Sequence, residues 1–205
     1  MLVSFFGIPD PSFRGGATVA VGDVNGDGVP DVVVAAGVGG GPRVVVWDGK
    51  LLAGGVVPTT PLADFFAFEE TLRTGVYVSV GDVTGDGLAD LLIGAGPGGG
   101  PRVRLVDAAS LLALGGVGTL DGNLAGAELG SFFTADDSLR AGQPVAAADL
   151  DEDGLAELFA GAGVGQGGSV RVYLGSQLQS TPSNPPMGAE LEPFGPGLFA
   201  GLFVG

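Results

Sequence analysis

Oxygen-bearing side chains recur at a fixed spacing in three short loops of this 205-residue chain. The loops run over residues 23–31, 82–90 and 149–157, and each has glycine at its sixth position. Oxygen side chains occupy positions 1, 3, 5 and 9 of every loop. Alternate oxygens on a tightly turned loop can converge on one point, and glycine permits the sharp turn. Because Ca²⁺ prefers a cage of oxygen ligands, this spacing predicts cation binding.

The candidate side-chain ligands are therefore the residues at these four positions of each loop. They are Asp23, Asn25, Asp27 and Asp31 in the first loop, Asp82, Thr84, Asp86 and Asp90 in the second, and Asp149, Asp151, Asp153 and Glu157 in the third. The alternative is an acidic turn in which Asp and Gly serve only turn chemistry. The repeated carboxylate at position 9, after the turn has ended, favours metal ligation instead.

An EF-hand is a second interpretation of acidic residues at this spacing. That motif requires flanking helices and a Glu at position 12 of the loop. Position 12 is Val34, Ile93 or Ala160 in the three loops, so the EF-hand is excluded.

Composition excludes several classes of function. The net charge of −15 argues against binding to nucleic acid or to an anionic membrane surface. The chain has no cysteine and no histidine, which excludes disulfides, thiol nucleophiles and histidine-based sites within it. No window approaches the roughly 18 uninterrupted apolar residues of a membrane span. Ca²⁺ sites of modest affinity suit the millimolar Ca²⁺ outside cells, so we expect an extracellular or cell-surface protein.

The sequence around the loops repeats as well. Asp23 and Asp82 are 59 residues apart, and Asp82 and Asp149 are 67 apart. After each loop come an apolar run and a glycine-rich turn, and the runs are β-branched or aromatic, which favours strands. One helical turn is expected at 109–114 and no other helix. The strands predicted for the first unit are Val19–Val21, Asp31–Ala35, Arg43–Trp47 and Asp64–Phe68.

Self-similarity at this period indicates an array of supersecondary units, and four strands per unit indicate β-propeller blades. We predict one all-β array over residues 1–205, with three four-stranded blades at about 17–68, 76–135 and 143–195. Extra strands are expected at both ends, at 4–8 and 202–204, where they are exchanged with neighbouring molecules. A closed propeller has four to eight blades. A fragment, half of a six-bladed ring and a polymerising subunit therefore all stay open.

The motif Asp-x-(Asp/Asn)-x-Asp-Gly-x-x-Asp between two strands resembles the FG-GAP repeat, the blade type of integrin α-subunit propellers and many bacterial surface proteins. The resemblance covers nearly the whole chain. It implies three Ca²⁺ sites that use side chains at positions 1, 3, 5 and 9 and the backbone carbonyl at position 7, which belongs to Val29, Leu88 or Leu155. Two residues depart from the pattern: Thr84 offers a neutral oxygen, and Glu157 is a longer side chain at position 9.

Other conspicuous residues are expected to be structural. The glycine-rich turns lack the Gly-Lys-Ser/Thr that follows in phosphate-binding loops. Arginines 43, 102 and 171 are expected to be solvated or paired with a carboxylate. The aromatic residues Trp47, Tyr77 and Tyr173 are expected to pack between blades, although stacking on a sugar is the alternative.

Catalysis is not expected, because the spare acidic pairs at 69–70 and 136–137 are adjacent in sequence and would point to opposite faces of a strand. We predict a non-enzymatic calcium-binding structural module that self-associates into a filament or ring. The terminal strands would bury Phe5, Phe6, Phe199 and Phe203 together. An adhesin or lectin-like module that binds a glycan or a surface protein is the alternative.

Overall fold

The structure, a computed structural model, describes residues 3–195 and 201–204. These residues form short strands joined by tight turns, with three short helices α1 to α3 at Gly49–Ala53, Ala108–Ala113 and Gly175–Ser180 and a 3₁₀ turn at Ala125–Ala127. The strands β1 to β13 are Ala17–Gly22, Asp31–Ala36, Arg43–Trp47, Ala63–Phe66, Val76–Gly81, Asp90–Ala95, Arg102–Val106, Val117–Thr119, Glu128–Phe133, Val145–Ala148, Glu157–Gly161, Val170–Tyr173 and Ala189–Leu191.

The strands build three sheets in chain order. The first sheet has the order β1-β2-β3-β4-β8, the second β5-β6-β7-β9 and the third β10-β11-β12-β13. Successive strands within each repeat pair antiparallel, which is the arrangement that short connections allow. The predicted all-β class and the three repeated sheets are therefore confirmed.

The hydrophobic core lies between successive sheets. Strand β2 is apolar on both faces: Val33 and Ala35 belong to a cluster shared with the second sheet, and Val34 and Ala36 belong to one on the opposite side. A further cluster joins the second and third sheets and includes Leu92. Burial on both faces explains why this run of the sequence is continuously apolar and does not alternate.

The first sheet has five strands where four were predicted. Its fifth strand, β8, pairs parallel to β4, with Phe65 opposite Gly118. Strand β8 comes from the connection between β7 and β9, which holds the additional residues of the second unit. These residues therefore cover the outer edge of the preceding sheet, where unpaired backbone groups would otherwise lie.

The predicted terminal strands at 4–8 and 202–204 are wrong, because neither segment is a strand. Residues 3–8 instead lie on the first sheet, where the Phe5 and Trp47 ring centroids are 5.4 Å apart and Trp47 Nε1 donates to the Gly7 carbonyl at 2.8 Å. At the other end, Phe203 meets Tyr77 edge-on with centroids 5.9 Å apart. Phe199 lies outside the described residues.

Two helices were not expected. The predicted turn at 109–114 agrees with α2 to within a residue, but α1 and α3 occupy the same place in the other units. The Asp48 side chain accepts a hydrogen bond from the Leu51 N–H at 3.0 Å, and Asp107 caps α2 in the same way through Ala109. An Asp directly after the third strand was thus the available signal for α1 and α2, whereas α3 begins after Leu174 without a side-chain cap. Among the helices of the described residues, none has both the length and the apolar character to cross a membrane.

Candidate metal sites

The three acidic loops occupy equivalent places, each between the first and second strands of a sheet. They also lie side by side. The Ala89 N–H of the second loop donates to the Asp23 carbonyl of the first at 2.8 Å, and the Ala156 N–H of the third donates to the Asp82 carbonyl of the second at 2.6 Å. The loops therefore form a hydrogen-bonded row along one edge of the molecule.

Position 1 shapes each loop through one recurring hydrogen bond. Its carboxylate accepts the N–H of the glycine at position 6, at 2.8 Å in the first loop, 2.7 Å in the second and 3.0 Å in the third. Position 5 adds a second recurring bond, because its carboxylate accepts the N–H of position 7 at 2.9 Å in all three loops. Side chains at positions 1 and 5 are thereby held toward the inside of the turn.

The backbone of each loop turns through the left-handed region at two positions. Glycines 28, 87 and 154 at position 6 have φ of 80°, 87° and 89°. Position 4 also has positive φ, with Gly26 at 76°, Gly85 at 79° and Glu152 at 60°. Glu152 is the one non-glycine residue with positive φ among the described residues, and a side chain there is strained.

The carboxylates at position 9 have a different environment. Asp31, Asp90 and Glu157 are almost completely buried. Each accepts the N–H of position 2 in its own loop and a second N–H eighteen residues further on, that of Gly49, Ala108 or Gly175. Position 9 therefore ties the loop to the start of the short helix after the third strand. The sequence interpretation missed this second role, although the same spacing occurs in all three units.

Burial changes the acidity of these carboxyl groups. It raises the pKa of Asp90 to about 6, against the hydrogen bonds from Ala108, Val83 and Thr84 that lower it. Burial likewise raises the pKa of Asp31. A cation beside them would stabilise the ionised form, because an opposite charge within a few ångströms lowers the pKa of a carboxyl group.

One set of three acidic side chains comes together among the described residues. Asp149, Asp151 and Asp153 have carboxylate oxygens within 4.8 Å of one another, and all three are exposed. This cluster could hold a metal ion. Its oxygens are hard donors on an exposed turn, and three carboxylates at such distances repel one another unless a cation or protons neutralise them. The donor set thus fits Ca²⁺ or Mg²⁺ better than a metal that prefers nitrogen or sulfur.

The first two loops differ from the third at position 3. Asn25 and Thr84 replace Asp151, so each of these loops has two carboxylates at positions 1, 3 and 5. In the first loop Lys50 Nζ lies 3.5 Å from Asp27 Oδ2 and offsets part of the negative charge. In the second, Gln179 Nε2 donates to the Thr84 carbonyl at 2.6 Å, which connects α3 to this loop.

Arginines 43, 102 and 171 were expected to be solvated or paired with a carboxylate, and all three are paired in the structure. Arg43 bonds Asp64 through two nitrogens at 2.7 and 2.6 Å, Arg102 lies 3.4 Å from Glu69, and Arg171 lies 3.3 Å from Glu190. Tyr173 packs between two sheets as predicted: it is buried, and its ring meets that of Phe132 with centroids 5.1 Å apart. Trp47 is also buried, but it packs against the amino-terminal segment and not between two sheets.

Comparison with protein families supports this organisation. Residues 23–93, which include the first two acidic loops, match the FG-GAP-like repeat. The resemblance drawn from the sequence motif is confirmed over these residues. Among curated proteins, no match to the chain is found.

Proposed function

We propose that this chain, which carries an FG-GAP-like repeat at residues 23–93, is a non-enzymatic extracellular module whose three acidic loops each bind one Ca²⁺ ion. The observation that carries the proposal is the shared geometry of the loops. In all three, the carboxylates at positions 1 and 5 are fixed by the same two backbone hydrogen bonds. The three sheets would then correspond to propeller blades.

The proposed ligands are the oxygens at positions 1, 3, 5 and 9 and the backbone carbonyl at position 7. A bound Ca²⁺ ion supplies no reaction here; it neutralises the carboxylates and fixes the turn. Position 9 can contribute while it keeps its two or three N–H partners, because an ionised carboxylate has about four lone-pair sites. Ten of the 23 acidic residues occupy these ligand positions, so ion binding would remove much of the repulsion in the chain.

The role proposed for the folded module is structural. Its conspicuous arginines pair with carboxylates or lie against aromatic rings, and the buried acids accept backbone hydrogen bonds. The side chains that would otherwise suggest chemistry therefore have structural partners. We propose self-association with copies of the same chain, involving its terminal segments, at the cell surface or outside the cell, where FG-GAP repeats are typical.

Calorimetric titration with Ca²⁺ tests the metal proposal. We expect three sites, with binding at the second loop weaker than at the third, because Thr84 contributes no charge where the third loop has Asp151. The informative variants replace position 5, as in Asp27→Asn, Asp86→Asn and Asp153→Asn. An Asn oxygen can still accept the N–H of position 7, so the turn is kept while one negative charge is lost. Each variant should weaken or abolish a single site.

Asp136→Asn is the matched control. Asp136 is an exposed acid outside the loops whose oxygen accepts from Ser138, so the charge change and the retained hydrogen bond are the same. This control should leave all three sites unchanged. Absence of binding at millimolar Ca²⁺, or an equal effect of Asp136→Asn, would contradict the proposal.

A further inference from the structure

The first sheet buries one face against the second sheet, and the second buries the equivalent face against the third. The third sheet has the same face. Val33 and Val46 are paired across β2 and β3, and Leu92 and Leu105 across β6 and β7. All four side chains are fully buried. The same register position in the third sheet is occupied by the pair Phe159 and Val172. The third sheet thus carries an apolar face of the kind that elsewhere contacts a following sheet.

The outer strand of the third sheet leaves this face partly exposed. Leu191 pairs with Val170 in the register that pairs Phe65 with Val44 in the first sheet. Phe65 is 1% exposed, whereas Leu191 is 50% exposed. Three residues further on, Phe68 is 2% exposed between two arginines of the second sheet, but Phe194, in the corresponding place, is 69% exposed.

The face of the first sheet that points away from the second sheet is complementary to this exposed face of the third sheet. In the second sheet, Ile93 and Arg104 face the first sheet, where the Ala67 carbonyl accepts from Arg104 Nη1 at 2.7 Å. The equivalent face of the first sheet contains Val34 and Val45 and is covered by residues 5–8 of the same chain.

The segment 5–8, Phe-Phe-Gly-Ile, corresponds to 65–68, Phe-Phe-Ala-Phe. Its Gly7 carbonyl accepts from Trp47 Nε1 as the Ala67 carbonyl accepts from Arg104. Residues 5–8 therefore occupy the place that the outer strand of a preceding sheet would take.

Residues 201–204 are placed in the same way at the third sheet. Gly201 has φ of 79°, like Gly142 at 77° directly before the third unit. The Leu202 N–H donates to the Ala162 carbonyl at 2.8 Å, and the Gln143 N–H donates to the equivalent Ala95 carbonyl at 2.8 Å. These residues lie where the first strand of a following sheet would begin.

We propose that the exposed face of the third sheet docks the first sheet of a second copy of this chain, and that docking displaces residues 5–8 and 201–204 from these two faces. The stretch Leu191–Phe194 of one copy takes the place of residues 5–8 on the next, and β1 of the next copy takes the place of residues 201–204. Continuity with the two internal interfaces argues for this occupant. The inference rests on the proposed self-association and specifies which surfaces meet.

The proposed contact between copies lacks a hydrogen bond that joins neighbouring loops within the chain. Within the chain, position 8 of a loop donates its N–H to the preceding loop, through Ala89 and Ala156. Position 8 of the first loop is Pro30, which has no N–H to donate. The contact between copies therefore depends on the apolar face, and assembly is expected to be reversible and concentration-dependent.

Sedimentation equilibrium of the full chain in millimolar Ca²⁺ tests the proposal. Leu191→Lys and Phe194→Lys place a charge in the proposed contact, and both side chains are exposed, so the fold should be unaffected. Each should raise the dissociation constant for association by about tenfold or more. The matched control is Val38→Lys, an equally drastic change at a side chain that is 58% exposed on another surface. It should leave association unchanged.

A chain that lacks residues 1–8 tests the displacement. The deletion leaves the face of the first sheet free, so the shortened chain should associate more strongly than the full chain. If the full chain assembles equally well with Lys at position 191 or 194, or if the deletion weakens assembly, the docking proposal is wrong and self-association stands. If the full and shortened chains both stay monomeric, both ideas fail and the face belongs to another occupant, such as a further repeat. Ca²⁺ titration of the same samples judges the metal proposal separately.

Discussion

Glu152 is the residue at which the third loop departs most clearly from the backbone chemistry of the other two. It has φ of 60°, where Gly26 and Gly85 occupy the equivalent position. A side chain in the left-handed region costs roughly 1 kcal/mol or more relative to glycine. Glu152→Gly should therefore raise the free energy of unfolding by up to about 1 kcal/mol, measured by urea denaturation in saturating Ca²⁺.

Gly85→Ala is the reciprocal variant, since it introduces a side chain at the same position of the second loop. It should destabilise by at least as much, because the new Cβ would also lie 3.2 Å from Gln179 Nε2. A Glu152→Gly variant that is less stable than the parent would indicate that the Glu152 side chain makes a contribution larger than its backbone strain.

At this scale the turn geometry of the loops could be predicted from the sequence. The side chains at positions 1 and 5 are held inside the turns, as alternate oxygens with glycine at position 6 suggested. The burial of Asp31 and Asp90 and their bonds to Gly49 and Ala108 could not be deduced, because they depend on how β3 and β7 return beside the two loops. Spacing within a loop carries no information on that tertiary contact.

At the scale of elements, Arg104 on β7 connects two sheets and the insertion between β7 and β9. Its side chain is buried, donates to the Ala67 carbonyl and lies over the Phe68 ring. It also pairs with Asp121 and lies 3.6 Å from Glu128. Arg104→Ala should cost about 3 kcal/mol of unfolding free energy, because it leaves acceptors and a cavity between the sheets.

Arg43→Ala is the comparison, measured by the same urea titration. Arg43 pairs with Asp64 across neighbouring strands of one sheet, and both side chains keep more than a fifth of their surface exposed. A solvated pair of this kind contributes about 1 kcal/mol or less. Equal losses for the two variants would contradict the role of Arg104 as a link between sheets.

The elements themselves were predictable where local pattern determines them. Strand β3 was predicted to its exact bounds and β2 to within a residue, because β-branched runs between Gly, Pro and Asp leave few alternatives. Strand β8 was missed because its pairing with β4 depends on another unit. The segments 4–8 and 202–204 have strand-like sequences, but docking on their own sheets replaces strand pairing. No local signal distinguishes these two outcomes.

At the scale of the whole molecule, the three loops and the cores between the sheets form one connected system. Backbone hydrogen bonds join the first loop to the second and the second to the third, and Gln179 joins α3 to the second loop. Apolar clusters join the sheets directly behind these loops. A conformational change in one loop is therefore expected to alter the packing between sheets.

Removal of Ca²⁺ should consequently destabilise all three sheets together. Binding to the native state alone contributes about 2.7 kcal/mol per site at a hundred times the dissociation constant, and this contribution is lost in excess chelator. The acidic side chains of each loop then repel one another without a counter-ion.

We expect a lower midpoint of thermal unfolding in chelator and a single transition in calorimetry. The midpoint should be the same by far-UV circular dichroism and by fluorescence of Trp47 in the first sheet. Equal midpoints with and without Ca²⁺ would contradict the stabilising role of the ions. Separate transitions for the two signals would show that the sheets unfold independently.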